Sequence, residues 1–231
     1  MEVIFSIIII LLFYAYRYIS NYKVFKKSKY KEVSGNNFKE TLHNKGNYGE
    51  FEIFHSLEKI NAHIKILSNL YIPKEDGTFT EVDLVLLSRT GIYVIESKNY
   101  KGNISGDEND RYWAQSFRTR KKYKFYNPIL QNNGHIKAIK SLLKIEDPDI
   151  FKSYIVFGND CNLENVNISS EDIKIVKRYY LYNEIEKEIK ESEKKVSVEE
   201  LYRYYNKLLA FIHADDNIKR IHKDSIENFK H

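Results

Sequence analysis

The stretch from Glu81 to Tyr100, EVDLVLLSRTGIYVIESKNY, constrains this chain more than any other part of it. Two apolar runs flank Arg89-Thr90, and each is apolar at odd and even positions alike. Strands of that kind are buried on both faces and belong at the centre of a sheet. If Arg89-Thr90 is a two-residue hairpin loop, Ser88 faces Gly91, Asp83 faces Glu96 and Glu81 faces Lys98. Residues two apart share a face, so all four charges are expected on one side, at one end of the hairpin. Directly opposed Cβ atoms lie roughly 4.5–5.5 Å apart, a spacing at which two carboxylates repel unless a cation or a shared proton intervenes. Such a pair suits Mg²⁺ or Mn²⁺, and a lysine two residues on can hold a nucleophilic water or offset phosphoryl charge. The plainer alternative is a cross-strand Glu81–Lys98 ion pair with solvated acids beside it. The hairpin alone leaves both open.

The first residues restrict the chain in another way. Val3 to Tyr16 is uncharged and apolar, and the run extends to Ile19 if Arg17 snorkels. As a helix, residues 3–19 would span about 25 Å, near the lower limit for crossing a bilayer. A cleaved signal would need a cationic start and a small-residue cleavage site; Met-Glu-Val and Tyr-Ala-Tyr-Arg-Tyr supply neither. A buried core helix is disfavoured because the run is apolar all round and lies at the terminus. Lysines 23 to 31 follow at once, so the positive-inside rule predicts a single-pass cell-membrane protein with its C-terminal domain in the cytoplasm. Lys23–Lys31 would attract anionic lipids. The overall net charge is +5, and residues 1–33 hold six cations against two acids, so the basicity belongs mostly to this segment. With Cys161 as the sole cysteine, an internal disulfide and a cysteine zinc site are both excluded, and a reducing compartment is expected.

The expected organisation is a transmembrane anchor (3–19), a basic juxtamembrane linker (20–41), a main domain (42–212) and a polar, frayed tail (213–231). Within the domain, Phe51, Phe54, Leu57 and Ile60 repeat at helical spacing, and Ile64–Ile72 reads as a strand ending at Pro73. Asn103–Gly106 reads as loop or short strand, Arg111–Phe125 as β, and a helix runs from Ile129 to Leu143. Ser153–Phe157 and Ile173–Val176 are strands, and Ser197–Glu200 is a capping box opening a further helix. The Lys/Glu-rich stretch 184–195 reads as a solvated helix face. This order predicts an α/β fold, a mixed β-sheet flanked by helices.

Around Phe117–Phe125 cations alternate with aromatics. Arg118, Arg120, Lys121, Lys122 and Lys124 could track a phosphate backbone, or the hairpin could simply be solvated. Gly46 and Gly49 are not a phosphate loop, since no Lys-Ser/Thr follows. His43, His55, His63 and His135 lack metal-ligand spacing, with His135 the one that could approach a site on the helix from Ile129.

Asp83 followed by Glu96-Ser97-Lys98 on the next strand resembles the active-site pattern of the PD-(D/E)xK nuclease superfamily. The flanking pieces are similar to the nuclease-related (NERD) domain: Gly46-x-x-Gly49-Glu50, Glu81-Val82-Asp83, Gly91 to Tyr100, Gly102-x-Ile104-x-Gly106, Trp113, and Asn127-Pro128-x-x-Gln131. The resemblance implies a restriction-endonuclease-like mixed sheet behind one transmembrane helix, hydrolysing phosphodiester bonds with Mg²⁺ or Mn²⁺, of DNA in preference to RNA. Asp83, Glu96 and the Ser97 backbone carbonyl would bind metal, Lys98 would position the attacking water, Glu50 would complete the metal site, and Gln131 would face it. The alternative from another class is a membrane-tethered nucleic-acid-binding or sensing module of the same fold without turnover.

Overall fold

The computed structural model describes residues 1–118 and 121–229. Helices α1 (Glu2–Lys27), α2 (Tyr30–Ser34), α3 (Phe38–His43) and α4 (Lys45–Leu57) precede strands β1 (Ile64–Pro73), β2 (Phe79–Ser88) and β3 (Gly91–Lys98). Then come β4 (Gly102–Asp107), β5 (Tyr112–Ser116), β6 (Lys122–Tyr126) and α5 (Pro128–Leu143). The chain closes with β7 (Phe151–Phe157), β8 (Cys161–Asn167), β9 (Ile173–Lys177), α6 (Arg178–Glu191), α7 (Val198–Leu209) and α8 (Asp216–Phe229).

The strands form two mixed sheets among the described residues, where the sequence predicts one. The larger runs β1-β2-β3-β7-β9, antiparallel on the β1 side and parallel from β3 onward. The hairpin therefore lies at its centre, as its two-faced apolarity requires. One face, with Val85, Leu87, Ile92 and Val94, packs on α5 and α7. The other, with Leu84, Leu86, Tyr93 and Ile95, packs on α4 and α6. Each Leu or Ile taken fully from water here contributes about 1.5–3 kcal/mol.

The smaller sheet, β6-β5-β4-β8, has its own core of Ile104, Trp113, Ile129 and Phe157. Trp113 stacks on Phe157 at 6.3 Å, and its Nε1 donates to Asp107 O at 2.9 Å. A Cβ on Gly106 would lie 2.3 Å from the indole, so only glycine fits beneath it. β8 is not anticipated by the sequence, since its Asn and Glu residues interrupt any apolar alternation.

Two segments depart from expectation. Residues 20–41 are not a tether: α1 is one helix through Lys27, and Phe25, Tyr30, Ser34 and Thr41 are buried. Phe38 sits against Tyr18, Tyr22 and Phe25 at 5.2–5.4 Å between ring centroids, and Phe25 meets Phe51 of α4. The aromatics, spaced by polar residues, conceal this packing in a composition count. Residues 213–231 are not frayed where described. Asp215 accepts from Ile218 N at 2.8 Å to start α8, and His222 Nδ1 donates to Phe79 O at 2.9 Å, which docks the helix on β2. The stretch expected to be a solvated helix face lies mostly within α6, whose Leu181 and Ile185 are buried.

Candidate active site

The hairpin register is the expected one from Ser88↔Gly91 to Leu84↔Ile95, and there it stops. β3 continues against β7 as far as Lys98↔Phe157, while β2 leaves it. The cause lies one strand away. Asn69 falls across from Asp83 between the pairs Ser68↔Leu84 and Leu70↔Val82, and its φ is +55°. Leu67 and Leu70, three apart, share one core with Val82 and Val85, also three apart. In a regular strand such residues face opposite ways. The alternation thus slips by one on both strands at Asn69 and Asp83 without changing their register.

The slip corrects the expectation that four charges share one face. Glu81 does not meet Lys98; it accepts from the Tyr71 hydroxyl at 2.7 Å, with His222 Nε2 3.7 Å away. Neither does Asp83 pair with Glu96 in the ladder. It sits where the strands part, and its Oδ2 accepts the Ser97 backbone N–H at 2.7 Å. Lys98 Nζ donates to Glu96 Oε1 at 2.5 Å and to Gln131 Oε1 at 3.0 Å. The cross-strand Glu81–Lys98 ion pair of the plainer alternative is therefore absent, and the Asp83 and Glu96 carboxyl groups are buried rather than solvated.

α5 supplies the opposite wall. Asn127 caps it, with Pro128 at its first turn, and Gln131 and His135 point to the sheet one turn apart. His135 is 2 % exposed; its Nε2 lies 3.0 Å from Glu96 Oε2 and its Nδ1 2.8 Å from Thr80 Oγ1. The only sequence signal for His135 is its i+4 spacing from Gln131, and Thr80 has none. α4 brings Glu50 from the other side. Asn44 caps that helix through Gly46 N and Asn47 N, and Gly49 permits its close approach to Asn99, where a Cβ would lie 2.9 Å from the Asn99 Cβ. Tyr30 OH, from α2, reaches Glu50 Oε2 at 3.4 Å.

Burial raises the Glu50 carboxyl to about 8, helped by Glu81 and Glu96. Burial, Glu96 and Glu50 likewise push Asp83 well above the usual range. For Glu96 burial acts upward, but Lys98 and His135 outweigh it and hold the group below its ordinary value. Burial opposes the Lys98 ammonium, yet Glu96 and Asp83 prevail and raise it. Asp83 and Glu96 thus share one lysine, and Glu50 adds a third carboxyl group to their field. Among the described residues no three His, Cys, Asp or Glu side chains already stand as a metal-ligand set, and Glu96 spends both oxygens on Lys98 and His135. The donor set nevertheless fits a hard divalent cation, because hard oxygen donors in excess of local positive charge are what Mg²⁺ and Mn²⁺ take.

The structure gathers Glu50, Asp83, Glu96, Ser97, Lys98 and Gln131 in one cleft. Arg118, Lys121, Lys122 and Lys124 stand exposed on the second sheet, outside that hydrogen-bonded cluster, and Arg120 lies outside the described residues. His43, His55 and His63 stay away from the cleft: His43 Nδ1 bonds Lys39 O, His55 stacks on Phe51 and His63 meets Tyr202.

Residues 45–158 match the family model described as nuclease-related domain, a span that includes every residue of this cleft. An uncharacterised protein of Bacillus anthracis is 32% identical over 186 residues, covering 80% of this chain and 84% of that protein. No solved structure matches the chain.

Proposed function

The chain belongs to the nuclease-related domain family, and on that premise we propose that it is a divalent-metal-dependent phosphodiesterase, a nuclease held at the cell membrane by α1 and facing the cytoplasm. The observation that carries the reading is the convergence of three buried carboxyl groups, Glu50, Asp83 and Glu96, between α4, α5 and the parted strands, with Lys98 beside Asp83 and Glu96. Asp83 and Glu96 would hold Mg²⁺ or Mn²⁺ together with the Ser97 carbonyl, and Glu50 would complete the set. Such a cation supplies Lewis-acid stabilisation of phosphoryl charge. Lys98, steadied by Gln131 Oε1, presents its Nζ where it can orient water and meet negative charge developing on phosphorus. Glu96 takes its orientation from His135, which Thr80 fixes in turn. The substrate would be nucleic acid, DNA more than RNA, with Arg118, Lys121, Lys122 and Lys124 along its backbone. The anchor reading draws support from α1, whose span Val3–Lys27 contains an 18-residue window of mean hydropathy 2.0 that is not buried by the rest of the protein.

A second reading keeps the fold and the nucleic-acid contact but has no turnover. The engagement of both Glu96 oxygens by Lys98 and His135 favours it. Detergent-solubilised full chain with linear, circular and single-stranded DNA and with RNA, with and without Mg²⁺ or Mn²⁺, separates the two. Metal-dependent cleavage lost in Asp83→Ala and Lys98→Ala is the expected result. Cleavage surviving both substitutions sinks the catalytic assignment; metal-dependent retention of nucleic acid without cleavage selects the second reading.

A further inference from the structure

α1 does not hang from the domain; it enters it as a continuous helix, so the depth of α1 in a bilayer fixes the depth of whatever α1 touches. At 1.5 Å per residue, Asn21 and Val24 stand about 3 Å and about 8 Å beyond Ile19, the last residue of the apolar run. A headgroup layer is about 5–7 Å thick on each side of the hydrocarbon. Asn21 and Val24 therefore lie within it or at its outer edge.

Those two residues line a cavity of about 240 Å³ whose other walls are α4 and the start of α6, with Lys59, Arg178 and Tyr179 at its rim. Tyr179 and its neighbour Tyr180 are 73% and 53% exposed, and their rings meet edge to face at 5.1 Å. Paired tyrosines left bare on a soluble surface have no partner to bury them, whereas the membrane interface is where such amphipathic rings concentrate. The charges are of matching sign. Arg178 is paired with Glu52 at 2.5 Å, exposed Lys59 adds positive charge at the cavity rim, and Lys23, Lys26 and Lys27 lie at the same depth on other faces of α1.

On the anchor reading above, we infer that this face, from Lys59 on α4 to Lys177–Tyr180 at the start of α6, docks on the headgroups of an anionic phospholipid bilayer beside α1. The docking has a consequence for the cleft. Arg178 Nη1 donates to Asn99 Oδ1 at 3.4 Å, and Asn99 Nδ2 donates to Lys45 O at 2.7 Å. The docked face is thereby tied to the residue after Lys98 and to the start of the helix that carries Glu50. The cleft then has a set orientation to the membrane, and substrate must approach it along the bilayer surface.

The test uses the full chain in nanodiscs of phosphatidylcholine with phosphatidylglycerol, in a Cys161→Ser background. Single cysteines carrying an environment-sensitive fluorophore are installed by Tyr179→Cys, by Ile10→Cys within the apolar run, and by Arg203→Cys on α7, across the sheet from α4. Nitroxide lipids act as quenchers. The expected result is loss of Ile10→Cys fluorescence to acyl-chain nitroxide and of Tyr179→Cys fluorescence to headgroup nitroxide, with Arg203→Cys unaffected. Replacing phosphatidylglycerol by phosphatidylcholine weakens the quenching at 179 alone. If Ile10→Cys is quenched but Tyr179→Cys responds no more than Arg203→Cys, the docking is overturned while the anchor stands. Shielding of Tyr179→Cys from aqueous iodide without lipid quenching would mean that another protein covers the face, which also overturns it. An unquenched Ile10→Cys removes the anchor itself and the docking with it.

Discussion

Replacing Asn127 tests how the second sheet and α5 are held where the cleft needs them. Asn127 is fully buried, and its Oδ1 accepts from Ile129 N at 2.9 Å, capping α5. Its Nδ2 donates to Asp110 O at 2.6 Å and Glu108 O at 2.9 Å, and more weakly to Asp107 O at 3.5 Å, a carbonyl already served by Trp113. Asn127→Ala removes a cap worth about 1 kcal/mol. It also strands Glu108 O and Asp110 O at about 1 kcal/mol each, the low end for an unpaired acceptor. The sum, about 3 kcal/mol, corresponds to a loss of about 6–12 °C in Tm for a chain of this size. Asn127→Asp is the sharper case. It keeps a cap acceptor and places an oxygen against those carbonyls, so it should lose more than the about 1 kcal/mol that a missing cap costs. Melting of the full chain in detergent is followed by far-UV circular dichroism and by emission of Trp113, the sole tryptophan, which packs beside this loop. An Asn127→Asp protein melting at the wild-type temperature would refute the reasoning, since the amide donors would then hold nothing together.

Asn69 is left-handed, a conformation that glycine adopts freely and a β-branched residue does not. Asn69→Gly should keep metal affinity in calorimetry, while Asn69→Val should lose about tenfold or more, about 1.4 kcal/mol, by displacing Asp83; equal affinities would discard the slip as the device that places it. The raised Glu50 carboxyl also has a pH signature. Folded protein keeps that proton where unfolded chain has released it, so metal-free stability falls as pH rises from about 4.5 to about 8. Asp83 acts in the same sense, whereas Glu96 loses its contribution only below its unfolded value and Lys98 only at alkaline pH. Melting in chelator across that range should show the decline, and saturating Mn²⁺ should reverse it; a Glu50→Gln protein with an unchanged slope contradicts the assignment. Gly106→Ala drives a methyl into the Trp113 ring and should cost about 1–3 kcal/mol in urea unfolding, with a red-shifted Trp113 emission; a neutral outcome rules out the tight contact.

Much of the fold is legible in the residues because it rests on local chemistry. Apolarity on both faces places the hairpin at the sheet centre, and Arg89-Thr90 sets its register down to Leu84↔Ile95. Asn127-Pro128 and Ser197–Glu200 announce their helices because caps use neighbouring backbone groups. The cleft members Glu50, Asp83, Glu96, Lys98 and Gln131 are identifiable through motif pieces, each confined to a few residues. The packing of α2, α3 and α8 is harder to see, since scattered aromatics such as Phe25, Tyr30 and Phe38 acquire a partner only in three dimensions. The basic loop of β5–β6 is visible as charge, yet charge alone does not say what it faces.

What the sequence alone determines here is therefore the element inventory, the central hairpin, the apolar N-terminal helix and the residue types available for chemistry. Which charges meet is settled only by the tertiary structure. A strand pattern of period two predicts Glu81 beside Lys98, and one left-handed residue on the neighbouring strand reverses that assignment, turning Glu81 to Tyr71 and leaving Lys98 to Glu96 and Gln131. The physical reason is that side-chain direction depends on the backbone angle at Asn69 and on where β2 parts from β3. Neither is encoded in the composition of the hairpin itself.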